Sequence, residues 1–256
     1  MPDARPISRP LVLSRKIVFL HIAKTAGTSI VHFFRKHMPP ESICSHGDFL
    51  HLGSDRIERQ ESLGAFQFVS GHFGYDEVAA LLPDAYSFTF LRDPIDRVLS
   101  FYQFCMHEEM QRQFPVARAA KDLGLDGFVH STAPEVSEAM DNLQCWQLAR
   151  SYWHEDRQML ARLNDSELLQ LAETHLEELS HIGLTETFDL DVKKMLKDLG
   201  IQRKLPKGKQ FVTTNPIVRD SLKPSTLATL EQRVALDTAL HDRIRSRRTS
   251  LDLDWP

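Results

Sequence analysis

KIVFLHIAKTAGTSIVHFFRKH, residues 16–37, is the stretch on which the fold turns. Its opening, Lys16–His21, is a short apolar run of the kind that forms a buried strand. Small residues follow from Ala23 to Gly27. From about Thr28 to His37 the apolar positions recur at helical spacing, until Pro39 and Pro40 stop them. Strand, tight turn and helix is the unit from which parallel α/β sheets are built. Such a turn presents successive backbone N–H groups with the positive end of a helix dipole behind them, which suits a phosphate or sulfate. Lys24 adds a full positive charge, and Thr25, Thr28 and Ser29 add hydroxyl donors. The pattern is not the nucleoside-triphosphate loop GxxxxGK[ST], because Lys24 precedes Gly27 and only one glycine is present. By itself it also reads as an ordinary β-to-α turn with a surface lysine.

The unit recurs downstream. Phe66–Ser70 reads as a second strand ending in Gly71-His72, and Glu77–Leu82 as a short helix stopped by Pro83. Tyr86–Leu91 reads as a third strand running into Arg92-Asp93-Pro94 and a helix to about His107. Asp93 stands where an N-cap belongs and Pro94 at the first helical position. On that helix Asp96, Ser100 and Gln103 share one face, while Ile95, Val98, Leu99 and Tyr102 supply the buried side. Arg92 and Ser100 can therefore both reach the carboxyl edge of the sheet, where open α/β sheets bind ligands. A guanidinium suits bidentate contact with a phosphate; an Arg92–Asp96 structural pair is the alternative. Farther on, residues 108–181 read as mostly helical with a loop around Ser131–Pro134. Ile182–Leu184 reads as a strand, Asp191–Leu199 as a helix ended by Gly200, and Arg203–Asn215 as a basic loop. Pro224–Arg248 reads as one long final helix whose basic end, Arg243 to Arg248, is solvated.

The totals fit one domain, residues 1–256, with a flexible N-terminal segment (1–14) and a mostly helical insertion (108–180) on the acceptor side. A hydrophobic fraction of 42% and a charged fraction of 26% belong to a globular chain with a substantial core. The formal net charge of -4 argues against bulk attraction to nucleic acid. Three widely spaced cysteines without a CxxC pair point to free thiols in a reducing compartment. Residues 1–10 lack the apolar core of a signal peptide, and no run of about 18 apolar residues occurs. No membrane span is expected, and the expected location is cytoplasmic; a membrane-anchored protein trimmed of its anchor has the same composition.

Together the two loops become specific. HIAKTAGTS (21–29), followed about 60 residues later by FLRDPIDRVLSFY (90–102), resembles the paired nucleotide-binding signatures of the sulfotransferase superfamily that uses 3'-phosphoadenosine 5'-phosphosulfate (PAPS). It is similar to the branch of heparan sulfate 2-O-sulfotransferase and bacterial carbohydrate sulfotransferases. The resemblance implies a P-loop-like three-layer α/β fold with a central parallel β-sheet flanked by helices. It also implies PAPS as donor, 3'-phosphoadenosine 5'-phosphate as product, no metal, and a hydroxylated acceptor, expected to be a carbohydrate. It maps the 5'-phosphosulfate onto Lys24, Thr25, Ala26, Gly27, Thr28 and Ser29, and the 3'-phosphate onto Arg92 and Ser100. Fainter likeness lies in Asp141-Asn142-Leu143-Gln144, in Ile182–Glu186 and around Leu236-Asp237, so that it spans roughly Lys16–Arg247. The chain departs from relatives at Trp146, where they often carry a basic residue. The glycine-and-basic loop that contacts the 3'-phosphate elsewhere is matched only loosely by Lys207-Gly208-Lys209.

Attack by a hydroxyl requires removal of its proton, and histidine has the suitable pKa near neutrality. His72, in Ser70-Gly71-His72-Phe73-Gly74, follows a strand and has glycines nearby that leave its ring room to face a cleft; the resemblance also makes it the base, with Lys24 as the catalytic cation. His72 as a helix cap is the bland alternative. His21 is a weaker candidate, and His46, His51 and Asn142 are expected on the acceptor side. Two rival readings are a magnesium-dependent P-loop kinase, disfavoured by the lysine placement, and a non-catalytic nucleotide- or glycan-binding relative.

Overall fold

The computed structural model describes residues 11, 13–49, 51–52, 56–149, 163–203, 205 and 216–251. The sequence-based readings of residues 1–10 and of Lys207-Gly208-Lys209 lie outside these residues. Among them, five strands form one all-parallel sheet: β1 (Lys16–Leu20), β2 (Ile43–Cys44), β3 (Phe68–Gly71), β4 (Ala85–Leu91) and β5 (His181–Leu184), in the order β2-β3-β1-β4-β5. Val18 registers with Val69 on one side of β1, and Phe19 with Phe88 on the other. The strands are apolar runs because both faces of the sheet are covered. Ile17 and Phe19 point to one face, against Phe33 and Phe34 of helix α1 (Gly27–His37) and Met195 of a later helix, Phe188–Asp198. Val18 and Leu20 point to the other face, into a cluster with Leu148, Leu176 and Leu240. A third apolar cluster, built from Ile95, Leu99, Phe128 and Leu230, holds the outlying helices together. This is the α/β, P-loop-like three-layer architecture that the sequence implied.

The remaining helices, in chain order, are α2 (His46–Phe49), α3 (Arg56–Leu63), α4 (Tyr75–Val78), α5 (Pro94–Cys105), α6 (Glu108–Gln113), α7 (Pro115–His130), α8 (Pro134–Met140), α9 (Leu143–Ala149), α10 (Asp165–Glu177), α11 (Phe188–Asp198), α12 (Pro224–Arg233) and α13 (Ala235–Leu251). The start of α5 is as the sequence dictates, with Asp93 accepting the Asp96 N–H at 3.0 Å and Pro94 opening the helix. All three cysteines are free and buried.

One strand escapes the sequence, and three readings need correction. The two-residue β2 is too short to show any periodicity. Pro83 does not stop the helix before it but lies inside a 3-10 segment, Ala79–Asp84. The final helix is two, broken at Val234, because Asn142 reaches across from a segment over 90 residues away and bonds both sides of the break. The basic end is not simply solvated: Arg243 pairs with Glu173, Arg247 with Glu177 at 2.7 Å, and Arg248 with Asp191, tying α13 to α10 and α11. Among the described residues no helix is long and apolar enough to cross a membrane.

Candidate active site

The order of the sheet dictates where a ligand can sit. From β1 the chain crosses to the β2 edge, returns at β3, then passes over β1 to β4, so the connections diverge on either side of β1. A crevice at the carboxyl ends of the strands belongs at such a switch point. Three neighbouring strands deliver their following residues there: β3 gives His72, β1 gives the loop from His21 to Gly27, and β4 gives Arg92.

The loop after β1 is set by backbone conformation. Lys24 (φ 72°) and Ala26 (φ 65°) are both left-handed, a conformation costing non-glycine residues about 1–2 kcal/mol. Alternating backbone twist of this kind turns successive N–H groups inward as an anion nest, and no side chain caps the start of α1. Gly27 is required by a close approach: a Cβ there would lie 2.2 Å from the His21 ring. The hydroxyls divide differently from the sequence expectation. Thr25 is fully buried and its Oγ1 donates to the Ile22 carbonyl at 2.9 Å, so its hydroxyl closes the turn. Thr28 is exposed and Ser29 half-buried. The Lys24 ammonium sits 4.6 Å from the centre of the Phe104 ring. Burial, and then the proximity of Arg92, lower its pKa.

The loop after β4 is set by side chains. The Gln144 amide grips the backbone of Arg92 at both ends, Oε1 accepting the Arg92 N–H and Nε2 donating to the Arg92 carbonyl, each at 3.0 Å. Glu186 accepts the Asp93 N–H at 2.7 Å. The Arg92 guanidinium then donates to the Lys24 carbonyl at 3.2 Å, joining the two loops. Burial depresses the Arg92 pKa, and Asp96, Glu186 and Asp93 oppose that shift. Asp96, the alternative partner, lies at the exposed rim of the site, where partial loss of solvent and then Asp93 raise its carboxyl. Ser100 lies half-buried two turns into α5.

His72 sits in a cluster of imidazoles. Its ring centre is 4.4 Å from that of His21 and 5.1 Å from that of His46. Its Nδ1 lies 2.6 Å from the His21 carbonyl, which can only accept, so the proton is on Nδ1 and the ring lone pair on Nε2. The His72 backbone N–H donates to Nδ1 of His46 at 3.1 Å, which places that ring's proton on its own Nε2. Burial, followed by the charge of His46, pulls the His72 pKa down to about 4. Burial and the neighbouring His72, His46 and Lys24 hold His21 well below its ordinary value. The cluster is neutral at pH 7.

Beside it opens a cleft of about 190 Å³, lined among others by His21, Thr28, Arg35, His46, Ser70 and Gly71. His46 thus faces the cleft. His51 lies exposed beyond α2 and outside that lining. Asn142 has its side-chain oxygen committed to the Leu236 and Asp237 N–H groups, so only its amide nitrogen is left for an acceptor. Sequence reasoning gave no role to Gln147, and none to Gln144, Glu186 or Asp237 beyond a place in a family-like segment. Gln and Glu side chains that hold backbone groups carry no local periodicity to announce them.

A family model described as the Sulfotransferase family matches residues 13–247. None of the curated proteins matches the chain.

Proposed function

The chain belongs to the sulfotransferase family, and from that premise we propose that it moves a sulfuryl group from PAPS to a hydroxyl of an acceptor, a carbohydrate by the resemblance of its motifs, with His72 as base. The observation that carries this reading is the linkage of three loops at one sheet edge. His72 Nδ1–H bonds the His21 carbonyl and the Arg92 guanidinium bonds the Lys24 carbonyl, so base, anion nest and arginine are positioned as one unit.

The residues fit the donor. Backbone N–H groups from Lys24 to Ser29, with the Lys24 ammonium, suit its 5'-phosphosulfate; Arg92 and Ser100 suit its 3'-phosphate. When bound, the donor supplies the sulfuryl group and a phosphate leaving group. The chain's part is to orient and to move one proton. His72 Nε2 takes the hydroxyl proton of the acceptor as the oxygen attacks, and the imidazolium is stabilised by its Nδ1–H bond to the His21 carbonyl. Lys24 and the nest N–H groups stabilise negative charge that builds on the leaving side, which is positioning and electrostatics rather than covalent catalysis.

Calorimetric titration with 3'-phosphoadenosine 5'-phosphate, against ATP with magnesium, tests the donor. Wild type should bind the bisphosphate without metal, and Arg92→Ala should bind it about 10–100-fold more weakly, the share of a charged hydrogen bond. His72→Ala should keep that affinity and lose about 10²–10⁴ in turnover. Preference for magnesium-ATP would overturn the donor assignment, and an active His72→Ala would overturn the base.

A further inference from the structure

Helix α9 is only seven residues long, Leu143–Ala149, yet it touches both halves of the site. Gln144 holds the backbone of Arg92 as described, and is 1% exposed. One turn on, fully buried Gln147 uses a single amide nitrogen twice: Nε2 donates to the His21 carbonyl at 3.2 Å and to the Phe73 carbonyl at 2.8 Å. Both partners are acceptors, so the amide orientation is fixed by chemistry; its Oε1 has no partner among the described residues. The residue is therefore buried for its donors. The two carbonyls it grips are the one that receives His72 Nδ1–H and the one on the residue following His72.

The helix carrying both glutamines is itself held from outside. Asp237, near the start of α13, accepts the Gln144 and Cys145 N–H groups at 3.1 and 2.8 Å, capping α9. Asn142, just before α9, returns the arrangement by accepting the Leu236 and Asp237 N–H groups. Two helix starts cap each other, and a short helix that could not persist alone becomes a rigid mount.

We propose that α9 is a bridge that positions the donor arginine and the base together, with Gln144 and Gln147 as positioning residues for separate halves. The inference rests on His72 being the base and Arg92 a donor ligand. Gln144 fixes where the guanidinium starts; Gln147 fixes the carbonyl that selects the His72 tautomer. Neither touches substrate. A misplacement of about 1 Å at such a remove is enough to cost up to about 10²-fold in rate.

The two substitutions should separate. Gln147→Leu should leave 3'-phosphoadenosine 5'-phosphate affinity unchanged, lower kcat about 10–100-fold with little change in KM, and alter the ring of His72. Nitrogen-15 correlation spectra of the imidazole should show one Nδ1–H tautomer in wild type and a mixture with Nε2–H in the variant. Gln144→Leu should weaken bisphosphate binding about 10-fold and leave the His72 tautomer intact. A purely structural role predicts lower melting temperatures with both readouts moving together or not at all, and either result overturns the proposal. If Gln147→Leu does not fold, Gln147→Met, of similar length and without a donor, is read the same way. Loss of activity in His72→Ala together with unchanged kcat and tautomer in the Gln147 variant would sink the bridge and leave the base standing. An active His72→Ala sinks the base instead.

Discussion

The two flanks of β1 solve opposite problems with the same sheet edge. On the β3 side, three imidazoles lie together and burial lowers the pKa of each, helped at His21 and His72 by the neighbouring rings. On the β4 side, one guanidinium is kept charged in a half-buried position by Asp96, Glu186 and Asp93 around it. A base needs its lone pair at neutral pH, whereas an anion ligand needs its charge. The two environments, one strand apart, suit the base and the anion ligand of the proposed reaction. The flanks also differ in how they are held. Both sides take a glutamine clamp from α9, but the β1–β3 side adds left-handed backbone and ring packing, and the β4 side adds carboxylates around the guanidinium.

Acid should separate the flanks most strongly. The unfolded chain takes up a proton at His72 from about pH 6.5 downward, whereas the folded chain resists until about pH 4. The folded state thus binds fewer protons in that window, so stability is complete above pH 6.5 and falls as the pH drops toward 4. His181, pulled to about 4 chiefly by burial against the opposing charge of Asp191, adds to the same slope. The loss at pH 4 is on the order of 3 kcal/mol for each imidazole. Denaturant unfolding at pH 7 and pH 4.5 should show it, and His72→Gln should flatten the slope. In the same window the acid limb of kcat/KM, which reports the free enzyme, should lie near 4. A limb near 6.5 would mean a hydrated ring and erase the contrast between the flanks.

Crowding is the next lever. Gly27→Ala puts a Cβ against the His21 ring, so the ring or the helix start must shift. Overpacking of this sort costs about 1–3 kcal/mol. Because the His21 carbonyl receives the His72 proton, turnover should fall with stability. The matching change on the other flank, Asp93→Ala, removes an N-cap bond worth about 1 kcal/mol and should leave the His72 tautomer alone. Equal effects of the two on the His72 ring would show that the flanks are not separable.

What could be read from the sequence follows the same divide. Strands β1, β3 and β4 were legible because burial on two faces leaves continuous apolar runs. The α5 start was legible because Asp93-Pro94 is a local signal. Lys24, Gly27 and Arg92 stood out only because two such loops occur about 60 residues apart; either one alone also reads as an ordinary turn or a structural ion pair. The break at Val234 and the roles of Gln144, Gln147, Glu186 and Asp237 were not legible. Each depends on backbone groups about 50 to 125 residues away, which no window of sequence contains. The inward turn of the Thr25 hydroxyl was missed for a related reason: a threonine beside an anion loop offers either its hydroxyl or its N–H, and only the closed turn decides.

The smallest effect is the most informative about the loop after β1. Ala26→Gly removes a left-handed penalty of about 1–2 kcal/mol but adds conformational freedom to the unfolded chain worth about 0.4–1 kcal/mol. The expected net is a gain of about 0–1.6 kcal/mol in unfolding free energy, accompanied by weaker binding of 3'-phosphoadenosine 5'-phosphate, since a glycine holds the nest less firmly. Stability and affinity would then move in opposite directions, as they must if strain is what keeps the N–H groups aligned. Should Ala26→Gly lower both, the loop is held by its contacts and not by its backbone, and the distinction between the two flanks fails at the residue where it was sharpest.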